Sequence, residues 1–354
     1  MQKQAHTTLA QKLALVTCSV MVVFFVVCAG ELYCRWFVGI NFLGIGRGLF
    51  VSHAFGDSYG NRPDYKGEVF GAAVQIDSTG FRVDPAFPNP SGTDAVLILG
   101  DSVAFGVGVP QSKTVAGLLQ KTNATNLRFY NSSAIGYGLH DYRNVVSALV
   151  PHRSEIKYVM LFYCLNDIYD TSAQEIEAAV SETNGTAIEP SPLSSLQAFA
   201  SSANRFLRTR STLYLYVKTA LTDPAARYFK QDLAEYRRRI SNIDVALQPL
   251  REIAEKLAAS GLSFEVFVMP YEAQLRRTAA GDSLLPQTLV TDFLRRNKIA
   301  YFDALSAFRQ SALPPEALYL YGDPMHLSAE GHLLSFQIAE AELKKMMNGT
   351  SRDY

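Results

Sequence analysis

Two short stretches hold residue types whose combination suits acyl transfer. In Val96–Val109, VLILGDSVAFGVGV, four branched apolar residues stop at Gly100-Asp101-Ser102. Without polar alternation the apolar run reads as a strand buried on both faces, and the glycine marks a change of direction. Ser102 then sits at a strand's carboxyl edge, where the start of a helix offers backbone N–H groups beside its hydroxyl. A tetrahedral oxyanion needs its donors there. Near the C-terminus, Asp323-Pro324-Met325-His326 places a carboxylate three residues before an imidazole across a proline turn. The aspartate can fix the tautomer on one ring nitrogen while the other faces a serine. Gly-Asp-Ser also occurs at Gly56-Asp57-Ser58, which reads as a surface turn with no strand before it. His332 is a rival base, but within a helix it points away from His326 and reads as a half-exposed helix histidine.

These residues need a scaffold that presents turns at one edge. The strand before Ser102 is followed by helical spacing over 112–119 and a strand over 127–130, then Asn131 to Gly138 as a polar, glycine-containing turn. A helix is expected over 139–149 and a third strand over 157–163, ending at Cys164-Leu165-Asn166-Asp167. Three strands that each end in a polar turn before a helix predict a parallel sheet with its site outside the carboxyl ends. Further on, a long amphipathic helix is expected over 231–260, a strand over 264–269, a helix over 284–297 and a strand over 299–302. Upstream, Val74 to Asp77 alternates as a half-exposed strand and closes at Gly80-Phe81-Arg82. The helical piece over 193–221 has ordinary core spacing and is expected to pack on the same core.

The chain has 354 residues, 48% apolar and 19% charged, and 33 basic residues balance 33 acidic ones. That suits one large α/β domain and leaves no basic stripe for nucleic acid. Two of the four cysteines, Cys18 and Cys28, fall in the apolar N-terminal run, and no metal-ligand spacing occurs, so neither a disulfide framework nor a metal or cofactor site is expected. Leu13 to Gly30 carries no charge, follows Lys3 and Lys12, and leads into Tyr33 and Trp36. It is longer than a signal-peptide core and nearly spans a bilayer, so it reads as an uncleaved anchor with its N-terminus cytoplasmic. The expected organisation is a cytoplasmic start at 1–12, a transmembrane anchor at 13–33, a linker and edge segment at 34–73, and a catalytic domain at 74–348 with a helical insertion at about 171–230.

In order and rough spacing, Gly100-Asp101-Ser102, Gly136, Asn166 and Asp323 with His326 resemble the four blocks of the SGNH hydrolases, the GDSL esterases and lipases, most closely bacterial membrane-anchored members. The resemblance implies a three-layer α/β/α flavodoxin-like domain with Ser102 as nucleophile, His326 as base then acid, and Asp323 orienting it. It further implies an oxyanion hole from the Ser102 and Gly136 N–H groups and the Asn166 side chain. Cys164 stands where the third block often has glycine, and with His140 it is a candidate for the pocket wall. The expected function is an extracytoplasmic serine esterase or deacylase acting on an acylated small molecule, glycan or lipid. The alternatives are an O-acyltransferase for a cell-surface polysaccharide, which needs the same residues, and an inactive glycan-binding module.

Overall fold

The apolar run before Gly100 is a strand, Ala95–Gly100, buried at every position. The computed structural model describes residues 9–38, 44–90, 92, 94–122, 126–169, 203–204, 206–207, 210–276 and 281–349. Two compact units divide the chain: Met1–Phe42 with Leu193–Thr222, and Leu43–Pro192 with Asp223–Tyr354.

In chain order the described elements begin with α1 (Leu9–Tyr33), then β1 (Phe50–Phe55), β2 (Ser58–Asn61), β3 (Lys66–Val69), β4 (Ala72–Ile76), β5 (Arg82–Val83) and β6 (Ala95–Gly100). There follow α2 (Ser102–Phe105), α3 (Val115–Thr122), β7 (Arg128–Asn131), α4 (Leu139–Leu149), β8 (Ile156–Tyr163), α5 (Thr212–Thr222) and α6 (Pro224–Arg239). The last are α7 (Ile243–Ala246), α8 (Gln248–Ala259), β9 (Ser263–Val268), α9 (Glu272–Leu275), α10 (Leu285–Arg296), β10 (Tyr301–Asp303), α11 (Leu305–Arg309) and α12 (Ala329–Met347).

In the larger unit the main sheet runs β10-β9-β8-β6-β7-β5-β4-β3. Its first five strands are parallel, in the flavodoxin-like order, and the chain reverses its direction of travel across the sheet between β6 and β8. Gly100 pairs with Phe162, Ile98 with Asn131, and Tyr163 with Val268, so the carboxyl ends of these strands fall at one edge. Helices α3 and α12 pack together, as do α4 and α8, and α10 lies against β9 and β10, giving the layered α/β arrangement.

The sheet is mixed rather than purely parallel. Strands β3, β4 and β5 extend it in antiparallel sense beyond β7, because hairpins join them with turns too short for a parallel crossover. Gly56-Asp57 is the turn of the β1–β2 hairpin, so a strand does precede it, contrary to the sequence reading. Ser58 is buried and donates to Asp141 Oδ1 at 2.5 Å, so this Gly-Asp-Ser does not present its serine at the surface. The single helix expected over 231–260 begins at Pro224 and is broken into α6, α7 and α8. Pro249 in the first turn of α8 has no N–H with which to continue the preceding helix.

In the smaller unit α1 carries an exposed apolar surface from Leu13 to Val27, and a span long and apolar enough to cross a membrane runs Gln11–Val38. Glu31 near its end accepts from the backbone N–H groups of Thr212 and Leu213 at 3.0 and 3.1 Å. These are orphan donors of the first turn of α5, so the carboxylate caps that helix. Helix α5 therefore belongs with α1, not with the sheet core as its spacing had predicted. Most of the expected insertion, residues 170–202, lies outside the described residues.

Candidate active site

Gly100 is required by space: a Cβ there would lie 2.5 Å from Ala104 Cβ and 3.1 Å from Phe162 O. The chain turns immediately after it, and Asp101 caps α2 by accepting from Val103 N–H at 2.8 Å. Ser102 is the first residue of that helix and is 5% exposed. Its Oγ lies 2.8 Å from His326 Nε2 and 3.2 Å from Asp101 Oδ2.

His326 is held by the turn that carries it. Asp323 Oδ1 accepts from the N–H groups of Met325 and His326 at 3.0 and 2.8 Å, while Oδ2 lies 2.7 Å from His326 Nδ1. A carboxylate only accepts, so Nδ1 carries the proton and Nε2 presents a lone pair to the Ser102 hydroxyl. Burial alone would lower the imidazole's pKa; the charge and hydrogen bond of Asp323, with the charge of Asp101, outweigh it and raise it. Burial would raise the Asp323 carboxyl, but the His326 charge and the hydrogen bonds it accepts hold it below the usual range.

Asn166 follows β8 in a single helical turn, and its Nδ2 donates to Asp101 Oδ2 at 3.2 Å. A carboxylate can face only the NH2 end of an amide, which fixes the flip of Asn166 and leaves one N–H to direct elsewhere. Tyr271 OH lies 3.5 Å from Asn166 Oδ1 and donates to Asp232 Oδ2 at 2.6 Å. Asp232 also accepts from Tyr169 OH at 2.8 Å, so α6 buttresses the turn that holds Asn166. Burial pushes Asp101 above the usual carboxylate range, and Asp167, which accepts from Cys164 N–H, well above it.

Gly136 follows β7, and that turn is sewn to the serine strand by Ala134 N–H donating to Gly100 O at 3.3 Å. Gly136 has φ +85°, and a Cβ there would meet Tyr59 OH at 2.9 Å, so glycine is needed twice over. Tyr59 donates to Ile135 O at 2.5 Å and fixes this turn from β2.

The structure thus gathers Ser102, His326 and Asp323 through direct contacts and Asn166 through Asp101, with the Gly136 turn tied to the serine strand. Cys164 is buried at the end of β8. His140 is exposed in the first turn of α4, within electrostatic reach of Asp141 and of Glu252 on α8. His332 is 1% exposed rather than half-exposed: its Nδ1 accepts from Val115 N–H at 3.4 Å, because α3 and α12 pack over it. Burial, with the charges of Arg82 and His326, lowers it to about 3, so it is neutral and enclosed.

Four contributors escaped the sequence reading: Asp101, Phe70, Tyr271 and Asp232. Phe70 is the tip of the β3–β4 hairpin, with φ +49°, and its ring stands edge-on to His326 at 5.6 Å between centroids. A bulky residue in that region is a genuine backbone outlier. The only available signal was Phe70-Gly71 between two short strands. Among the described residues no group of three or more His, Cys, Asp or Glu side chains is placed to hold a metal ion.

No protein-family model and no curated protein sequence matches the chain. Among solved structures, the chain is similar to TesA at 14% identity and a TM-score of 0.41, with 72% of this chain and 99% of that chain covered. It is similar to Axe2, an acetylxylan esterase from Geobacillus stearothermophilus, at 14% identity and a TM-score of 0.40, with 73% and 96% covered. A member of the lipolytic protein G-D-S-L family from Veillonella parvula gives 12% identity and a TM-score of 0.38, with 70% and 96% covered. In sheet order, and in the way the turns carrying its four sequence blocks meet at one edge, the chain resembles the SGNH hydrolases.

Proposed function

We propose that the protein is a serine ester hydrolase that removes acyl groups through an acyl-enzyme on Ser102. The observation that carries this is the relay from Ser102 Oγ to His326 Nε2 at 2.8 Å and from His326 Nδ1 to Asp323 Oδ2 at 2.7 Å. In the first step Ser102 Oγ attacks the ester carbonyl and its proton passes to Nε2. The oxyanion takes hydrogen bonds from the Ser102 and Gly136 N–H groups and from the second N–H of Asn166. His326 then returns the proton to the leaving alcohol as the C–O bond breaks. Water repeats the sequence, giving its proton to Nε2, and Ser102 leaves with that proton as the free acid departs. In the same reading α1 is a single membrane span with its N-terminus cytoplasmic, so the site acts outside the cytoplasm on an acylated small molecule, glycan or lipid.

Steady-state hydrolysis of 4-nitrophenyl esters from acetyl to octanoyl, with the full-length protein in detergent, tests the reading. Turnover should be lost in Ser102→Ala and His326→Ala, and its chain-length profile should define the acyl class. A stoichiometric burst without turnover would instead indicate that the acyl-enzyme awaits an acceptor other than water. Turnover unchanged in Ser102→Ala would overturn the proposal.

A further inference from the structure

We infer that helix α5 is a second membrane contact, lying with one face in the headgroup and acyl boundary of the bilayer that α1 spans. Its sequence places Leu213, Tyr216, Val217, Ala220 and Leu221 at i, i+3, i+4, i+7 and i+8, the spacing of one continuous apolar stripe. In a helix packed on a core this stripe would be covered. Here Val217 is 46% exposed and Leu221 79% exposed, while the buried residues of α5 are Thr212 and Leu215.

The attachment of α5 to α1 says what covers the stripe. The uncharged run of α1 ends at Gly30, and Glu31, the next residue, accepts from Ser211 Oγ and from the Thr212 and Leu213 N–H groups. That capping carboxylate is the first charge after the uncharged run, so it marks the level at which the charge-free part of the span ends. Amphipathic helices settle at about this level, with the apolar face some 5–10 Å into the boundary. Leu213 is drawn close at Gly30, where a Cβ would lie 3.1 Å from its Cδ2. A second link, Arg35 Nη2 to Arg210 O at 2.9 Å, holds the preceding turn to the same end of α1. Trp36 and Phe206 are also exposed, and the Arg210 guanidinium lies 4.9 Å over the Phe206 ring, an aromatic and basic mixture suited to an interface. The occupant is therefore lipid rather than a protein partner, and the inference rests on α1 being a span.

The chain's only tryptophan, Trp36, supplies the test without labelling. The full-length protein is reconstituted in phosphatidylcholine vesicles with and without 5-doxyl lipid, and emission is read against aqueous iodide as well. In the wild type, Trp36 should be quenched by the doxyl lipid. In Trp36→Phe/Leu221→Trp and Trp36→Phe/Val217→Trp, both at exposed positions where folding is insensitive to the change, emission should shift to shorter wavelength. It should be quenched by doxyl lipid and shielded from iodide. Trp36→Phe/Thr222→Trp, off the stripe, should remain open to iodide. Quenching of Trp36 with position 221 and position 217 open to iodide would overturn the inference while leaving the span intact. Shielding from both quenchers would mean a protein cover, a second copy or this chain, and would also overturn it. Absence of doxyl quenching at Trp36 would remove the span and the inference together.

Discussion

Asp101 touches two members of the site at once, since its Oδ2 accepts from Asn166 and lies beside Ser102 Oγ. Its charge also helps to hold the His326 pKa above the ordinary histidine value of about 6.5. The reaction needs Nε2 unprotonated, so kcat/KM should fall as pH drops through that raised value. Asp101→Asn keeps a capping side chain but removes the charge, which lowers the cost of the neutral imidazole. Its acid limb should therefore move to lower pH, with kcat reduced as the flip of Asn166 is no longer enforced; an unmoved limb in the pH profile would contradict this role. Asn166→Ala removes one of the proposed oxyanion donors and should lower kcat by about 10²–10³-fold with little change in KM. Asp323→Asn should cost about 10⁴-fold, because an amide no longer selects the productive tautomer. Ser102, Asp323, His326 and Asn166 were legible because each sits in a short motif whose turn is built by its own neighbours. Asp232 and Phe70 were not, since each reaches the site from an element distant in sequence.

At the scale of elements, one buried arginine holds the backbone that follows the serine turn, and one hairpin tip faces His326. Arg82, in β5, is fully buried and donates to the carbonyls of Phe105, Gly106 and Val109, the backbone that leaves α2. Burial lowers its pKa to about 9. Arg82→Met should strand those carbonyls at about 1–3 kcal/mol each and lower the denaturation midpoint sharply, as chemical unfolding would show. A near-neutral change would mean the loop finds other donors. The β3–β4 tip offers a contrasting case. Phe70→Asn relieves a backbone conformation costing about 1–3 kcal/mol, so Tm should hold or rise while kcat/KM falls for want of the ring beside His326. The strands and helices near the site were readable from apolar runs and their ends, whereas the antiparallel extension was not. Strands β3 and β5 are too short and too polar to register in a pattern, and their pairing is decided by hairpin geometry.

For the whole molecule, the flavodoxin-like order puts Ser102 and Asn166 in the turns that follow the two strands flanking the reversal, the place where open α/β sheets bind their ligands. His332 shows what a sequence reading misses at this scale: a helix histidine looks half-exposed until α3 is packed over α12. The apolar surface of α1 predicts that the full-length chain stays with membranes after alkaline carbonate washing. Protease added from the extracytoplasmic side should degrade the larger unit, and protection there would reverse the proposed topology.

In the proposed mechanism His326 and Asp323 activate Ser102 and no other serine. Peptide mapping by mass spectrometry after exposure to diisopropyl fluorophosphate decides this, with Ser58 and Ser283, in the other two Gly-Asp-Ser triplets, as internal controls. The expected result is an adduct on Ser102, none on Ser58 or Ser283, and a labelling rate that collapses in His326→Ala. Labelling of Ser102 at an unchanged rate in His326→Ala, or no adduct on Ser102 in the folded wild type, would contradict it.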